Sequence, residues 1–273
     1  MSSSILPRSL SKQEARLLTA LSAAGNPIFT IDDARAILGE EGFKAKKLLH
    51  RLCAKRWIER LERGKYRLIP LGAGLEGHWV EHDYLIAPSL VKPYYLAYAT
   101  ALRYYSYTER ETQTVWIATT KRKRPKVIQG MKYRFVTLTS HKFFGFAPLE
   151  LGGSKIQMAE REKAIADGFD HPEYCGGVIE VAKGLWFRGN ELDLEKLVAY
   201  SRRLGNRAAM RRLGFWLELL GAGDKELWRK LENRRTHSYV RLDPRGPDEG
   251  VRSARWRLIV NVPERQLLEW RGH

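Results

Sequence analysis

Cysteine is nearly absent. Cys53 and Cys175 are the only two in 273 residues, which excludes a disulfide framework and any paired-cysteine zinc motif. Long apolar runs are missing too: no stretch reaches 18 residues, and Met1-Ser-Ser-Ser-Ile is not a signal peptide. A cytoplasmic protein with no membrane partner is therefore expected. There is no glycine-rich phosphate loop followed by Lys-Ser/Thr, no dinucleotide fingerprint, no nucleophile elbow, and no close Asp pair in a nucleotidyltransferase context. No catalytic residue, metal or cofactor is expected, and the chain reads as a non-enzyme. Acid is scarce relative to base, with 31 Asp and Glu against 48 Lys and Arg, a formal net charge of +17 and a pI near 9.9. Such an excess costs self-repulsion unless a polyanion neutralises it, and nucleic acid is the first candidate.

What is present is organised around residues 43–69. Ala45, Leu48, Leu49 and Leu52 fall at offsets 0, 3, 4 and 7, the spacing of one buried helix face. The other face is cationic: Lys44, Lys47, Arg51 and Lys55 recur at three- and four-residue steps, Lys46 and His50 stand beside them, and no acid lies between 42 and 58. Two strand-like runs follow, Trp57–Leu61 and Tyr66–Ile69, joined through Arg63, Gly64 and Lys65, where glycine suits a turn position of positive φ. Upstream, Ser11-Lys-Gln-Glu14 is a capping box opening a helix with Ala15, Leu18, Leu21 and Ser22 along one side. Thr30-Ile-Asp-Asp33 opens a short helix through Ala34, Ile37 and Leu38 that stops at Gly39. Helix, short helix, basic helix and basic hairpin is the winged helix-turn-helix order, in which the third helix enters the major groove. A lysine-rich outer face is often merely solvated, and some such domains only dock proteins; the unbroken cationic row favours DNA.

Residues 70–92 read as a connection, with a short strand over Trp79–Ile86. His78 and His82 share the spacing of metal ligands but lack a third ligand. The aromatic run Pro93–Tyr107 has a helical beat and reads as packing against a sheet. Strands are expected over Gln113–Ala118 and Tyr133–Leu138. Between them Lys121, Arg122, Lys123 and Arg124 sit in a loop, equally a solubilising tip or a phosphate contact. Phe143–Phe146 and Leu149–Gly153 continue as strands and turns, and Ala159–Phe169 begins a helix. Glu160 and Glu162 beside Lys163 resemble a nuclease set at a glance, but the position two before the lysine is Arg161. The tail is helical over Asp193–Leu204, Arg207–Leu220 and about 224–233, and 253–262 reads as a final strand. Residues 200–273 hold 17 Lys and Arg against 9 acids; among them Arg202, Arg203, Arg207, Arg211 and Arg212 form a possible second phosphate-binding surface.

The fold class read from these elements is α+β, a winged helix-turn-helix domain over 1–72, a connection over 73–92, and a larger mixed α/β domain over 93–273 ending in a helical bundle. It is mixed to about 190 and mainly helical from about 191 to 236.

Val115-Trp-Ile-Ala-Thr-Thr-Lys-Arg-Lys-Arg124, Phe143-Phe-Gly145, Glu160-Arg-Glu-Lys-Ala164, Tyr174-Cys-Gly-Gly-Val178 and Leu197-Val-Ala-Tyr-Ser-Arg-Arg-Leu-Gly205 follow the winged-helix start in that order. With them the chain resembles the AbiEi-type antitoxins of type IV toxin–antitoxin pairs, linked to abortive phage infection, over nearly its whole length. The resemblance implies an autorepressor that binds inverted repeats in its own promoter. It also implies a nucleotidyltransferase-like toxin as functional partner, countered without a stable complex by the larger carboxy-terminal domain. It places the winged-helix role on Lys44, Lys46, Lys47 and Arg51 and on Arg63 and Lys65, and assigns no antitoxic residue.

The residues divide by expected role. Lys44, Lys46 and Lys47 would meet base edges; Thr30, Arg51, Lys55, Arg63 and Lys65 would mainly hold phosphates. The alternative is a nucleic-acid-processing enzyme tethered by the winged helix, with Glu160, Glu162 and Asp167 as its acids.

Overall fold

Ser11 starts the first helix. Its hydroxyl accepts from the Glu14 amide at 3.4 Å while Glu14 Oε2 accepts from the Ser11 amide at 2.8 Å, a reciprocal cap that satisfies two orphan donors. The helix, α1, runs Lys12–Ala23 and buries Glu14, Leu17 and Leu21. The expected face is thus turned: Leu17 goes inward while Ser22 is exposed and Ala15 and Leu18 are half-buried, because a leucine removes more apolar surface from water than alanine or serine. The computed structural model describes residues 9–25, 27–39, 42–69, 83–128, 130–151, 154–232 and 238–272.

A three-residue strand that the sequence did not announce, β1 (Ile28–Thr30), precedes α2 (Ile31–Leu38). Thr30 caps α2 with Asp33 in a second capping box, and Gly39 closes it at φ +65°. Then come α3 (Gly42–Ala54), β2 (Ile58–Glu62) and β3 (Lys65–Leu68). Glu62 pairs with Lys65 across a two-residue turn in which Gly64 takes φ +77°, a conformation that costs other residues about 1 kcal/mol or more. The strands form one antiparallel sheet of order β1-β3-β2. Leu17, Leu21, Phe29, Ala34, Leu38, Leu48, Leu49, Leu52 and Ile58 form the core beneath it.

The chain divides into two compact units, Met1–Ser89 and Leu90–His273. Of the strand expected over Trp79–Ile86, Asp83–Ile86 is a 3₁₀ turn leading into α4 (Ala87–Leu90); the remainder, with His78 and His82, lies outside the described residues.

In the second unit the aromatic run is not one helix. Tyr95–Leu96 is a strand, β4, and only Ala99–Tyr104 is helical, α5. Tertiary pairing overrides the helical beat: Tyr95 lies opposite Ala118 and Leu96 opposite both Ile117 and Met158, so these two residues join the halves of a six-stranded sheet. Its other strands are β5 (Thr114–Thr119), β6 (Lys126–Ile128), β7 (Met131–Thr137), β8 (Phe146–Leu151) and β9 (Ser154–Ala159), in the order β6-β7-β5-β4-β9-β8. The helix α6 (Arg161–Asp170) is buried from Glu162 through Asp170. Around it pack α7 (Val178–Phe187), which the sequence did not announce, α8 (Leu194–Leu204) and α9 (Arg207–Leu220).

After α10 (Lys225–Arg229), shorter than expected, the chain adds a three-stranded sheet of order β10-β12-β11, made of β10 (Val240–Arg241), β11 (Val251–Ser253) and β12 (Leu258–Val260), and ends in α11 (Glu264–Leu268). The single strand expected over 253–262 is instead a hairpin: β11 and β12 pair antiparallel, and the link between them carries Trp256 onto α9. The Trp256 ring covers Gly214 so closely that an added Cβ would stand 2.0 Å from its Cζ3. Its Nε1 donates to Glu218 Oε2 at 2.5 Å, which fixes the indole from the other end. Alanine at Gly214 gains about 1 kcal/mol of helix propensity, but a buried ring held at both ends cannot retreat without overpacking cost. Gly214→Ala is expected to lower stability by about 1–3 kcal/mol in urea unfolding; an unchanged or raised midpoint would show that the indole does not rest on this helix.

Candidate nucleic-acid interface

The basic helix takes the register its leucines dictate. Ala45, Leu48, Leu49 and Leu52 are buried at 0–3% exposure, so Lys44, Lys46, Lys47, His50 and Arg51 are exposed on the other side. Past Ala54 the chain turns sharply, with the Arg56 amide donating to Cys53 O and the Trp57 amide to Leu52 O, each at 3.0 Å. Arg56 sits at φ +56° to make that turn.

One residue ties this helix to α1. Glu14 is 1% exposed and serves as more than a cap: its Oε2 accepts from Lys55 Nζ at 2.8 Å and its Oε1 stands 3.7 Å from Arg51 Nε. Burial opposes ionisation of Glu14, but the bonds from Lys55 and from the Ser11 amide and hydroxyl, with the Lys55 charge, outweigh it and hold the carboxyl below its ordinary value. Lys55, expected at a phosphate, is therefore engaged internally and only 24% exposed, whereas Arg51 keeps half its side chain in solvent. Sequence reasoning missed this latch because Glu14 and Lys55 stand 41 residues apart.

The hairpin divides likewise. Lys65 lies 3.2 Å from Glu62 Oε1 and donates to the Ser89 carbonyl; Arg63 at the tip is exposed. Arg60, not singled out in the sequence, is a second exposed cation here. Arg67 is buried against Glu59 at 2.8 Å. The Thr30 hydroxyl donates to Asp33 Oδ2 at 2.7 Å and accepts from the Asp33 amide at 3.2 Å, so its role here is the helix cap.

In the second unit the expected basic clusters come apart. Arg202, Arg203 and Arg207 are exposed, with Arg203 stacked 3.9 Å over the Phe144 ring. Arg211 and Arg212, at 3% and 6% exposure, are not surface cations. Arg211 donates to Ser238 O at 3.0 Å, and Arg212 to Leu242 O at 3.1 Å and Phe169 O at 3.3 Å. Both place their guanidinium against backbone carbonyls of segments distant in sequence. Burial lowers the pKa of each from its ordinary value. Lys121, Arg122 and Arg124 are exposed in the loop between β5 and β6, whereas Lys123 donates to Leu90 O.

Two of the three acids of the alternative enzyme reading share a lysine: Lys196 Nζ stands 3.4 Å from Glu160 Oε2 and 3.1 Å from Glu162 Oε2. Glu160 also accepts from Tyr200 OH at 2.5 Å, and buried Glu162 accepts from the Asp193 amide at 3.2 Å. Asp167 faces Lys163, fully buried one turn back in α6, and Tyr95, whose hydroxyl accepts from Lys163 Nζ at 3.0 Å. Burial pushes the Asp167 carboxyl up despite the adjacent ammonium. Burial also raises the Cys175 thiol well above its ordinary value, the opposite of a reactive cysteine. Among the described residues no group of three or more His, Cys, Asp or Glu is placed to hold a metal, and no helix is long and apolar enough to cross a membrane.

Residues 16–69, from α1 through the basic hairpin, match the protein family described as transcriptional regulator, AbiEi antitoxin. The resemblance seen in the sequence stands on this segment. No curated protein matches the chain in sequence. In three dimensions the chain is similar to the crystal structure of the RV2827C protein from Mycobacterium tuberculosis, with a TM-score of 0.71 over 97% of each chain at 18% identity. A likeness at that identity speaks to the fold.

Replacing Glu14 by Gln keeps the shape and removes the charge, and is expected to destabilise the protein by about 1–3 kcal/mol near neutral pH. A carboxyl held below its unfolded value contributes stability above that value and loses it as the pH falls through the folded one. Urea unfolding of both proteins should therefore give a difference that shrinks toward zero on acidification through the carboxylate range; one independent of pH would mean that charge is not what Glu14 supplies.

Proposed function

We propose that this chain is a DNA-binding transcriptional autorepressor and antitoxin of the AbiEi type, acting in the cytoplasm. In this reading the amino-terminal unit is a winged helix that binds inverted repeats in its own promoter. The second unit counteracts a nucleotidyltransferase-like toxin without forming a stable complex with it. The observation that carries the DNA reading is the α3 surface, five exposed basic side chains on a helix whose other face is locked into a core. The match of residues 16–69 to a transcriptional regulator family supports the same reading.

The roles follow from position. Lys44, Lys46 and Lys47, in the first half of the helix, reach base edges, where a lysine donates to guanine O6 and N7. His50 and Arg51 lie farther along the same face, and Arg63 leads the hairpin onto phosphates. Lys55 and Lys65 take smaller parts than the sequence assigned them, since each already neutralises a glutamate. A regulator of this kind needs no catalytic group.

Binding of alanine variants to DNA upstream of the gene and to random duplex separates the roles. Lys47→Ala is expected to cost about 1–3 kcal/mol on the upstream DNA and little on random DNA, and Arg63→Ala to weaken both and reduce the log–log salt slope by about one unit. Equal losses on both duplexes for both variants would overturn the assignment of roles. If reversing the charge of Lys44, Lys47 and Arg51 together left DNA affinity unchanged, the unit would be a protein-docking module instead.

A further inference from the structure

The six-stranded sheet keeps part of one face open. Paired residues Thr114 and Lys132, and Trp116 and Arg134, share that face of β5 and β7, and Val127 of β6, opposite Lys132, lies on it too. The other face takes the core residues Val115, Ile117 and Tyr133, at 0–2% exposure. On the open face Lys132 and Arg134 are exposed, Trp116 is half-buried and Val127 is 67% exposed. None of these strand residues is acidic, and Lys132 and Arg134 make no ion pair among the described residues.

On this face four planar groups stand in a row. The Arg134 guanidinium lies 5.5 Å from the Trp116 ring centroid. Trp116 stacks on Tyr174 at 4.5 Å and 27°, and Tyr174 on His171 at 5.0 Å and 15°. His171 Nδ1 is held by Glu173 Oε1 at 2.9 Å, and Tyr98 meets Tyr174 edge-on at 5.1 Å. The row is fixed from behind by buried Tyr98 and by the 3₁₀ turn Pro172–Tyr174 that follows α6, and it ends in solvent on Arg134. A rigid stack with a guanidinium at its open end, on a sheet face carrying a second cation, is complementary to an unpaired nucleobase and its phosphate. Every base has a π-face, and base–aromatic stacking tolerates any sequence. Duplex DNA cannot use the stack without unpairing, since its bases already stack on one another.

We propose that this face of the second unit is a binding site for single-stranded nucleic acid, in which an unpaired base stacks at the Arg134–Trp116 end of the row and Lys132 takes a neighbouring phosphate. The site is separate from the duplex-reading helix and does not depend on that reading. Anisotropy titrations of the full chain would use labelled oligo(U), oligo(dT) and an abasic deoxyribose-phosphate strand, all about twelve units long. The three share phosphate number and differ in bases and sugar, so general attraction to a basic protein cancels. The expected result is that at least one base-bearing strand binds about tenfold more tightly than the abasic strand, and the two strands tell RNA from DNA as the source. Arg134→Lys keeps the charge on an exposed residue while removing the planar group, and should cut that preference at least threefold without changing affinity for the upstream duplex; Trp116→Leu should abolish it. Equal affinity for all three strands, or a preference that survives both substitutions, would overturn the proposal.

Discussion

Burial of one face of α3 is the constraint on which the amino-terminal unit depends. Leu48, Leu49 and Leu52 are in the same cluster as Leu17, Phe29 and Ile58, so the helix cannot roll without exposing leucines, each worth about 1.5–3 kcal/mol when buried. Because side chains recur every 3.6 residues, fixing the leucines also fixes Lys44, Lys46, Lys47, His50 and Arg51 in solvent. Glu14 adds a polar stop to the same arrangement, holding Lys55 near the end of α3 against the start of α1. A helix that is to read base edges must be held in place before it meets them, and here apolar packing and one buried carboxylate hold it.

The large positive charge is divided between structure and surface. Lys55, Lys65, Arg67, Lys163, Arg211 and Arg212 have carboxylates, carbonyls or ring faces as partners within the fold. They are charged in the sequence count but contribute little to an external surface. Exposed cations are scattered over both units, and among the places where they gather are α3, the hairpin tip, the loop after β5, the ends of α8 and α9, and the open face of the large sheet. In the proposed reading a polyanion meets basic areas of different chemistry: a helix face suited to a groove and an aromatic sheet face suited to unpaired bases.

The amino-terminal unit was legible because its signals are local. Capping boxes at Ser11 and Thr30, the stop at Gly39, the leucine period of α3 and the turn at Gly64 each act within a few residues, and the structure places each where the sequence put it. Strand β1 was not legible, since three residues give no period and its partner β3 lies about 37 residues on. The same limit explains β4: Tyr95 and Leu96 read as helix until the strands on either side exist to pair with them. Charge was legible as a total but not as a disposition. Arg211 and Arg212 stand close to Arg207 in the sequence, and only the approach of distant backbone carbonyls, those of Ser238, Leu242 and Phe169, draws them inside. The stack of Trp116, Tyr174 and His171 joins residues more than 50 positions apart, which no motif spacing could have announced.

The central claim is that the exposed face of α3 reads DNA sequence rather than merely attracting phosphate. The most direct measurement is a salt titration of binding to the duplex upstream of the gene, beside a scrambled duplex of equal length and composition. Sequence readout predicts a preference of about a thousandfold or more that persists as salt rises, because counterion release acts on both duplexes alike. Equal affinities at every salt concentration would contradict the account, leaving α3 a basic surface without a code.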